Sequence, residues 1–576
     1  MNKTTATAQE QLRAVINKAV AAAQSAGELP EGDIGQIRIE IPADRKNGDY
    51  STNAALAAAR SFHCAPAKIA SAIVAYAELD GTYFERVESA GPGFINFTLG
   101  PRYYSDILID IRAQGAEYGR TDSGKGKRVV VEFVSANPTG PMHVGNARGG
   151  AIGDCLASAL DMAGYEVERE FYINDAGNQI EKFGESLSRR YLQIYKPDVP
   201  MPDSCYKGID IIRHAADFAE IHSDSFIDVR EAGDRYIYVD EKTRRKALVD
   251  FALPKNIAGL ERDLASYRIT YDTWFRESSL HRGGEVADVI RLMKESGNTY
   301  ESDGALWFKA RDFGCEKDFV LVRSNGIPTY IVPDIAYHYN KLVVRGFDVA
   351  IDVLGADHHG YVPRLKACLA ALGVDPDRLK VVLMQMVRLV NRDGEIIKAS
   401  KRSGKAITLV TLLEEVPVDA ARFFFNLREP GSHFDFNIDQ AVEHSADNPV
   451  YYCQYAHARI CSVFKKQEEK GFSVSELDAV TPETLDTLMH DAEKELVRML
   501  ALLPDEIDKA AQSLDASGIT RYIYEVASLF HKFYNSCRID GDDPAVRSAR
   551  LYLCAGVKTV LSNVLSLLKV TAPESM

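Results

Sequence analysis

The sequence predicts an α/β protein in three parts: a small α+β N-terminal domain (residues 1–122), a central parallel-sheet domain (123–415) and an all-helical C-terminal bundle (416–576). Three observations carry this reading. At 576 residues the chain exceeds what one hydrophobic core organises, given roughly 100–200 residues per domain. A strand–helix–strand pattern occurs twice in the middle of the chain, and strand signals nearly vanish after Val416.

In the N-terminal part, a helical segment leads to the alternating run Gln36-Ile37-Arg38-Ile39-Glu40-Ile41, read as a strand, with further strands near Phe84–Val87 and Phe94–Phe97. The polar, glycine-containing stretch Thr121–Lys127 marks a boundary. The β-branched run Arg128–Val134 follows, then a loop rich in proline and glycine. Val144, Ala147, Ala151, Cys155, Leu160 and Ala163 next fall on one helical stripe, which Gly164 ends. Tyr165, Val167, Phe171 and Ile173 alternate as a strand would, completing a βαβ unit that implies a parallel, Rossmann-type sheet. A second unit runs from the strand Val349–Leu354 through a helix bearing Val362, Leu365 and Leu369 to the strand Leu379–Met384. The interval from about 180 to 310 reads as a mostly helical insertion, and amphipathic helices cover Val450–Phe464, Leu485–Leu503 and Tyr522–Tyr534.

Composition narrows the function classes. Hydrophobic content of 46% with 26% charged residues is ordinary for globular proteins. A net charge of −14 argues against indiscriminate nucleic-acid coating, which draws its affinity from phosphate neutralisation, but leaves room for local basic patches. No apolar stretch approaches the ~20 residues that cross a bilayer, and the N-terminus lacks a signal-peptide core, so a cytoplasmic protein is expected. The nine cysteines include no Cys-x-x-Cys pair, and the adjacent His358 and His359 have no helical i,i+4 companion; no protein metal site is expected.

Two segments carry chemistry. After the first strand of the central domain comes Ser135-Ala136-Asn137-Pro138-Thr139-Gly140-Pro141-Met142-His143-Val144-Gly145-Asn146, at a strand's carboxyl end and a helix N-terminus, where free N–H groups suit phosphate. His143 and Asn146 are three residues apart, and Gly145 between them lets a flat ligand approach the backbone. The loop is neither G-x-G-x-x-G nor G-K-[ST], which disfavours the dinucleotide and P-loop readings. Far downstream, Asn391-Arg392-Asp393-Gly394 signals a hairpin turn, followed by Lys398-Ala399-Ser400-Lys401-Arg402-Ser403-Gly404-Lys405. Flexible ammonium groups can follow the shifting charge of a triphosphate into a transition state.

His143-Val144-Gly145-Asn146 followed by Lys398-Ala399-Ser400-Lys401 resembles the HIGH and KMSKS signatures of class I aminoacyl-tRNA synthetases, in the right order and context. Asn146 stands where the second histidine is usual and Ala399 where methionine is usual; altered tuning with retained activity is expected. Within that class the resemblance to arginyl-tRNA synthetases covers essentially the whole chain. It rests on Val131–Pro141, Tyr172–Ile180, Gly355–Tyr361, Asp419–Phe424 and Asn448–Tyr452, with Gly48–Asn53 similar to part of the family's additional N-terminal domain.

The resemblance implies ligation of L-arginine to tRNA(Arg) through an arginyl-adenylate, with ATP as substrate and Mg2+ entering with it, held mainly by phosphates. It implies catalytic roles for His143, Asn146, Lys398 and Lys401, and puts Gly145, Gly355, Asp357 and His358 beside ATP together with His143, Asn146 and Lys401. A guanidinium needs carboxylates and carbonyl-type acceptors for forked hydrogen bonds. The family pattern carries over to Asp334 with Tyr330 at that end, and to Glu132, Ser135 and Asn137 toward the α-amino end. Glu132 inside an apolar strand also demands a partner on physical grounds. For tRNA the candidates are Asn53, Tyr452, Tyr455, His457 and Met576; on spacing alone, an aromatic stripe on a helix is more often a packing feature than a base-stacking one. A monomer is expected. Two other readings are a nucleotidyltransferase acting on a small metabolite, which the extra terminal domains disfavour, and a noncatalytic RNA-binding regulator, which the intact signature residues disfavour.

Overall fold

The computed structural model describes residues 2–232, 235–397 and 407–576, the side chains of 229–238 excepted. Its centre is a five-stranded parallel sheet in the order Leu379–Met384, Val349–Gly355, Arg128–Glu132, Glu166–Ile173, Thr273–Arg276. The order of connection reverses between the strands 128–132 and 349–355, so a crevice opens at their carboxyl ends, where open α/β sheets bind ligands.

The helix Val144–Met162 lies behind this crevice and is buried on all sides from Ala147 to Leu160, rather than along a single stripe. Glycine permits the closeness: a Cβ on Gly153 would come within 2.3 Å of the Phe133 ring. The helix also touches the C-terminal region. Arg422, fully buried, donates to Asp154 Oδ2 at 2.5 Å and to the carbonyls of Tyr267 and Leu568 at 3.0 and 2.9 Å, while Arg169 holds the other Asp154 oxygen at 2.9 Å.

The N-terminal part packs the helix Lys3–Ser25 beside a three-stranded antiparallel sheet, Tyr50–Thr52, Phe94–Leu99 and Phe84–Ala90. The alternating run 36–41 is not a strand; its single pairing is the bridge between Glu40 and Ser51. Alternation is necessary for a half-buried strand but cannot supply a partner edge. Helix Pro101–Gln114 then docks the N-terminal part on the C-terminal helices: Arg498 lies 2.5 Å from Asp49, Arg112 2.5 Å from Asp478, and Tyr118 donates to the Leu500 carbonyl at 3.0 Å.

The insertion is less helical than its pattern implied. It contains helices Gly177–Tyr195, Ile209–His222 and Glu241–Ser266, but Thr273–Arg276 returns as the fifth strand of the main sheet, and Thr299–Ser302, Ala305–Phe308 and Phe319–Val322 form a separate antiparallel sheet. These strands are four residues each, too short for a period to declare itself. The C-terminal region is helical apart from Phe434–Asn437, which pairs in parallel with Val387–Val390.

Candidate active site

The chain leaves the central strand at Glu132 through a strained bend. Val134 and Ser135 have φ of 70° and 39°, and a β-branched residue in the left-handed region is a true outlier of the kind found at ligand sites. The bend turns Ser135 back toward the sheet. Its hydroxyl donates to Glu132 Oε1 at 2.9 Å and accepts from the Tyr172 N–H at 3.1 Å.

Beyond the bend a cavity of about 490 Å³ is lined by Glu132, Ser135, Tyr330, Asp334, Gly355, Asp357 and His358, all singled out from sequence, together with Tyr361. Asp334 sits in the first turns of helix Ile331–Tyr339 and accepts a hydrogen bond from Tyr361. Burial raises its pKa to about 6, although that hydrogen bond and the neighbouring His338 pull the other way. Tyr330 stands at the rim, 64% exposed, its hydroxyl accepting from Asn178 at 2.6 Å. Asp357 and His358 occupy an exposed 3-10 turn, Ala356–His358, that ends the strand 349–355.

A second cavity of about 540 Å³ adjoins the first through Val134 and Ser135 and is lined by Asn137, Gly140, His143 and Asn146. His143 caps the helix 144–162, and its backbone N–H is accepted by the Asn146 side-chain carbonyl at 3.0 Å. The amide donors of Asn146 are left for a ligand. A Cβ on Gly145 would meet no protein atom within 4 Å, so packing does not demand glycine there.

Lys398 and Lys401 lie outside the described residues, as does Ala399. The described chain on either side is informative. Before them, Asn391 accepts at its carbonyl from Gly394, and Val390 bridges to Ile396, giving the expected tight turn. After them, Thr408 forms an antiparallel bridge with His143, and the Leu409 N–H donates to the Met142 carbonyl at 2.9 Å.

The candidates for tRNA contact are scattered, and one needs correction. Tyr455 stacks on Tyr451 at 6.2 Å with rings 10° apart, Tyr451 stacks on His444, and Met576 is 51% exposed beside Tyr451 at a shared cavity. Tyr452 packs against His531 and Tyr524, and Asn53 stands at the head of a short helix in the N-terminal part without a capping hydrogen bond from its side chain. His457 is buried, hydrogen-bonded to the Pro573 carbonyl at 2.8 Å and to Ser562 at 3.0 Å. It anchors the C-terminal segment and presents nothing to an RNA; a helix in a bundle must turn one face inward.

Sequence reasoning missed the layer beneath the first cavity: Glu170, Asp352, His338 and Lys341. Lys341 is wholly buried, 2.5 Å from Glu132 and 3.0 Å from Asp352. The demand of Glu132 for a partner was a signal that such a cation existed, but not where it lay in the chain.

Comparison with known proteins adds to this geometry. Residues 9–99 match the family described as Arginyl tRNA synthetase N terminal domain, residues 108–460 match tRNA synthetases class I (R), catalytic domain, and residues 453–576 match DALR anticodon binding domain. An arginine–tRNA ligase of Ruminiclostridium cellulolyticum is 51% identical over 570 residues, covering 99% of each chain. One from Caldanaerobacter subterraneus subsp. tengcongensis is 52% identical over 569 residues, again 99% of each. Among solved structures, the arginyl-tRNA synthetase of Thermus thermophilus superposes with a TM-score of 0.70 at 21% identity, covering 98% of this chain and all of the other, a likeness of fold.

Proposed function

The chain belongs to the arginyl-tRNA synthetase family, and from that premise we infer that it is an arginine–tRNA ligase using ATP. The arginine carboxylate attacks the α-phosphorus of ATP, pyrophosphate leaves, and a terminal ribose hydroxyl of tRNA(Arg) then takes the acyl group from arginyl-adenylate with release of AMP. No protein nucleophile is needed. Catalysis is positioning plus electrostatic stabilisation.

In this reading Asp334 and Tyr330 receive the guanidinium, and Glu132, Ser135 and Asn137 the α-amino end. The observation that carries it is the single cleft containing Glu132, Ser135, Tyr330 and Asp334 at the sheet's switch point. ATP lies across Gly355, Asp357 and His358 toward His143, Gly145 and Asn146, where the helix N-terminus favours phosphate. The open space over Gly145 supports this placement. Lys398 and Lys401 neutralise the departing pyrophosphate. Mg2+ arrives with ATP; among the described residues no group of three or more His, Cys, Asp or Glu side chains could hold a metal, so phosphate oxygens and water would supply most of its ligands.

For tRNA, the His444–Tyr451–Tyr455 ladder and Met576 offer stacking faces suited to unpaired bases, with Tyr452 beside them and Asn53 at the distant N-terminal part. The domain division 1–122, 123–415 and 416–576 follows these roles: tRNA corner, catalysis, anticodon. We take the protein to act as a cytoplasmic monomer; among the described residues no helix is long and apolar enough to cross a membrane.

The test is transfer of labelled arginine to total tRNA, with lysine and glutamate as controls. Charging with arginine alone, dependent on ATP, is expected; charging with either control, or with none, would refute the assignment.

A further inference from the structure

Three carboxylates stand in one row across the middle of the sheet. Glu170, Glu132 and Asp352 occupy the same register position on three neighbouring strands, and all are buried. Like charges opposite one another on adjacent strands are destabilising, and a buried carboxylate without a partner is costly.

The partners come from one continuous segment. Lys341 lies in the π-turn Asn340–Val344, which continues the helix 331–339. Its ammonium is 2.5 Å from Glu132 Oε2, 3.0 Å from Asp352 Oδ1 and 4.0 Å from Glu170 Oε1. Arg345 approaches Glu170 at 2.5 Å and also holds Glu168 at 2.6 Å. His338 places Nε2 2.7 Å from Asp352 Oδ2 and Nδ1 2.7 Å from the Asp334 carbonyl. A carbonyl and an ionised carboxylate can only accept, so both ring nitrogens carry hydrogen and His338 is an imidazolium. The three carboxylates of the row thus face three cations, one of which, Arg345, also serves Glu168 at the edge. Through Glu132 and the Asp334 backbone, this cluster supports both ends of the amino-acid cleft.

We propose that Lys341 is a positioning residue for arginine binding: from beneath the cleft it fixes Glu132 in place, and so sets the KM for arginine without touching the substrate. The proposal rests on the assignment of Glu132 to the α-amino end. Burial opposes the ammonium, but Asp352, Glu132 and Glu170 together outweigh it and hold its pKa above the usual lysine value. Without Lys341 the row carries one unmatched negative charge in a dry interior, which a proton on one of the carboxyls would quench. A Glu132 displaced from its place cannot hold an ammonium.

Charge, rather than packing, is what the test must isolate. ATP–pyrophosphate exchange is measured on the full chain with its tRNA present, for Lys341→Met, for Lys341→Met combined with Glu170→Gln, and for Glu132→Gln. The double variant removes one charge of each sign, and Arg345 keeps Glu168. Lys341→Met should raise the arginine KM at least tenfold with the ATP KM changed less than twofold, and Glu170→Gln should return it to within threefold of the parent. An arginine KM within twofold of the parent in folded Lys341→Met, or no recovery in the double variant, would overturn the proposal. If Lys341→Met alone does not accumulate, the double variant decides: a near-parental arginine KM supports the proposal, and a tenfold rise or a failure to fold overturns it. Glu132→Gln separates the two readings. An unchanged arginine KM there removes the assignment of Glu132 itself, whereas a raised one beside a parental Lys341→Met removes the role of Lys341 alone.

Discussion

His143 and Thr408 face each other across an antiparallel backbone bridge. The residue that opens the phosphate-facing helix is thereby tied to the residue just beyond the segment 398–406, and the Thr408 hydroxyl in turn caps the next helix by accepting from the Thr411 N–H at 3.2 Å. Thr408→Ala should cost about 1 kcal/mol in urea unfolding, as loss of an N-cap does. Because the bridge lies at the ATP end of the cleft, the ATP KM should rise more than the arginine KM; the reverse order in exchange kinetics would contradict this geometry.

Removal of either proposed phosphate partner should slow adenylate formation while sparing the fold. His143→Ala and Lys401→Ala are each expected to lose about a hundredfold in ATP–pyrophosphate exchange, the order seen when one transition-state donor is removed. Circular dichroism should be unchanged. Near-normal exchange in both variants would remove these residues from the chemistry.

Asp334 predicts a pH dependence of definite sign. Burial raises its pKa from 3.8 to about 6 in the empty cleft, so the folded state takes up a proton that the unfolded state does not between those values. Its contribution to stability is full below pH ~4 and is lost as pH rises through 6, by at most about 3 kcal/mol. A cationic ligand selects the ionised form, so the arginine KM should fall by about fivefold as pH rises from 5 to 6 and level off above 7. Asp334→Asn should abolish that dependence, raise the arginine KM by about a hundredfold or more, and make the protein more resistant to urea at pH 7. Loss of affinity together with loss of stability would show that Asp334 serves the fold.

Arg422 holds the C-terminal helices to the helix behind the cleft. Arg422→Met leaves Asp154 with Arg169 alone and frees two buried carbonyls, so roughly 3 kcal/mol should be lost, the lower end for breaking a buried pair. Urea titration of this variant beside Arg422→Met with Asp154→Asn reads the effect, and the second substitution should recover part of it.

Much of this architecture is legible in the residues because local pattern and fold agree. The β-branched runs at 129–131 and 349–354 are central strands, and the segments that follow them carry Ser135, Asn137, Asp357 and His358 of the cleft. What was not legible depends on register. Nothing in the order Glu132, Glu170, Asp352 says that these residues are neighbours until the strands are aligned, and Lys341 within Asn340-Lys341-Leu342 reads as an ordinary solvated lysine. His457 shows the converse error: a histidine among aromatic and basic residues resembles a surface feature, but its two ring nitrogens are spent inside the bundle.

Val134 is held in a backbone conformation that its own side chain disfavours, by about 1–3 kcal/mol. Relief is one substitution away: Val134→Gly would free the bend, and thermal melting should show a sturdier protein. The same freedom would unfasten the Ser135 hydroxyl from Glu132, and single-turnover adenylation should slow. A chain that grows hardier and duller from one exchange would reveal a site where selection for durability and selection for speed pull a single peptide in opposite directions.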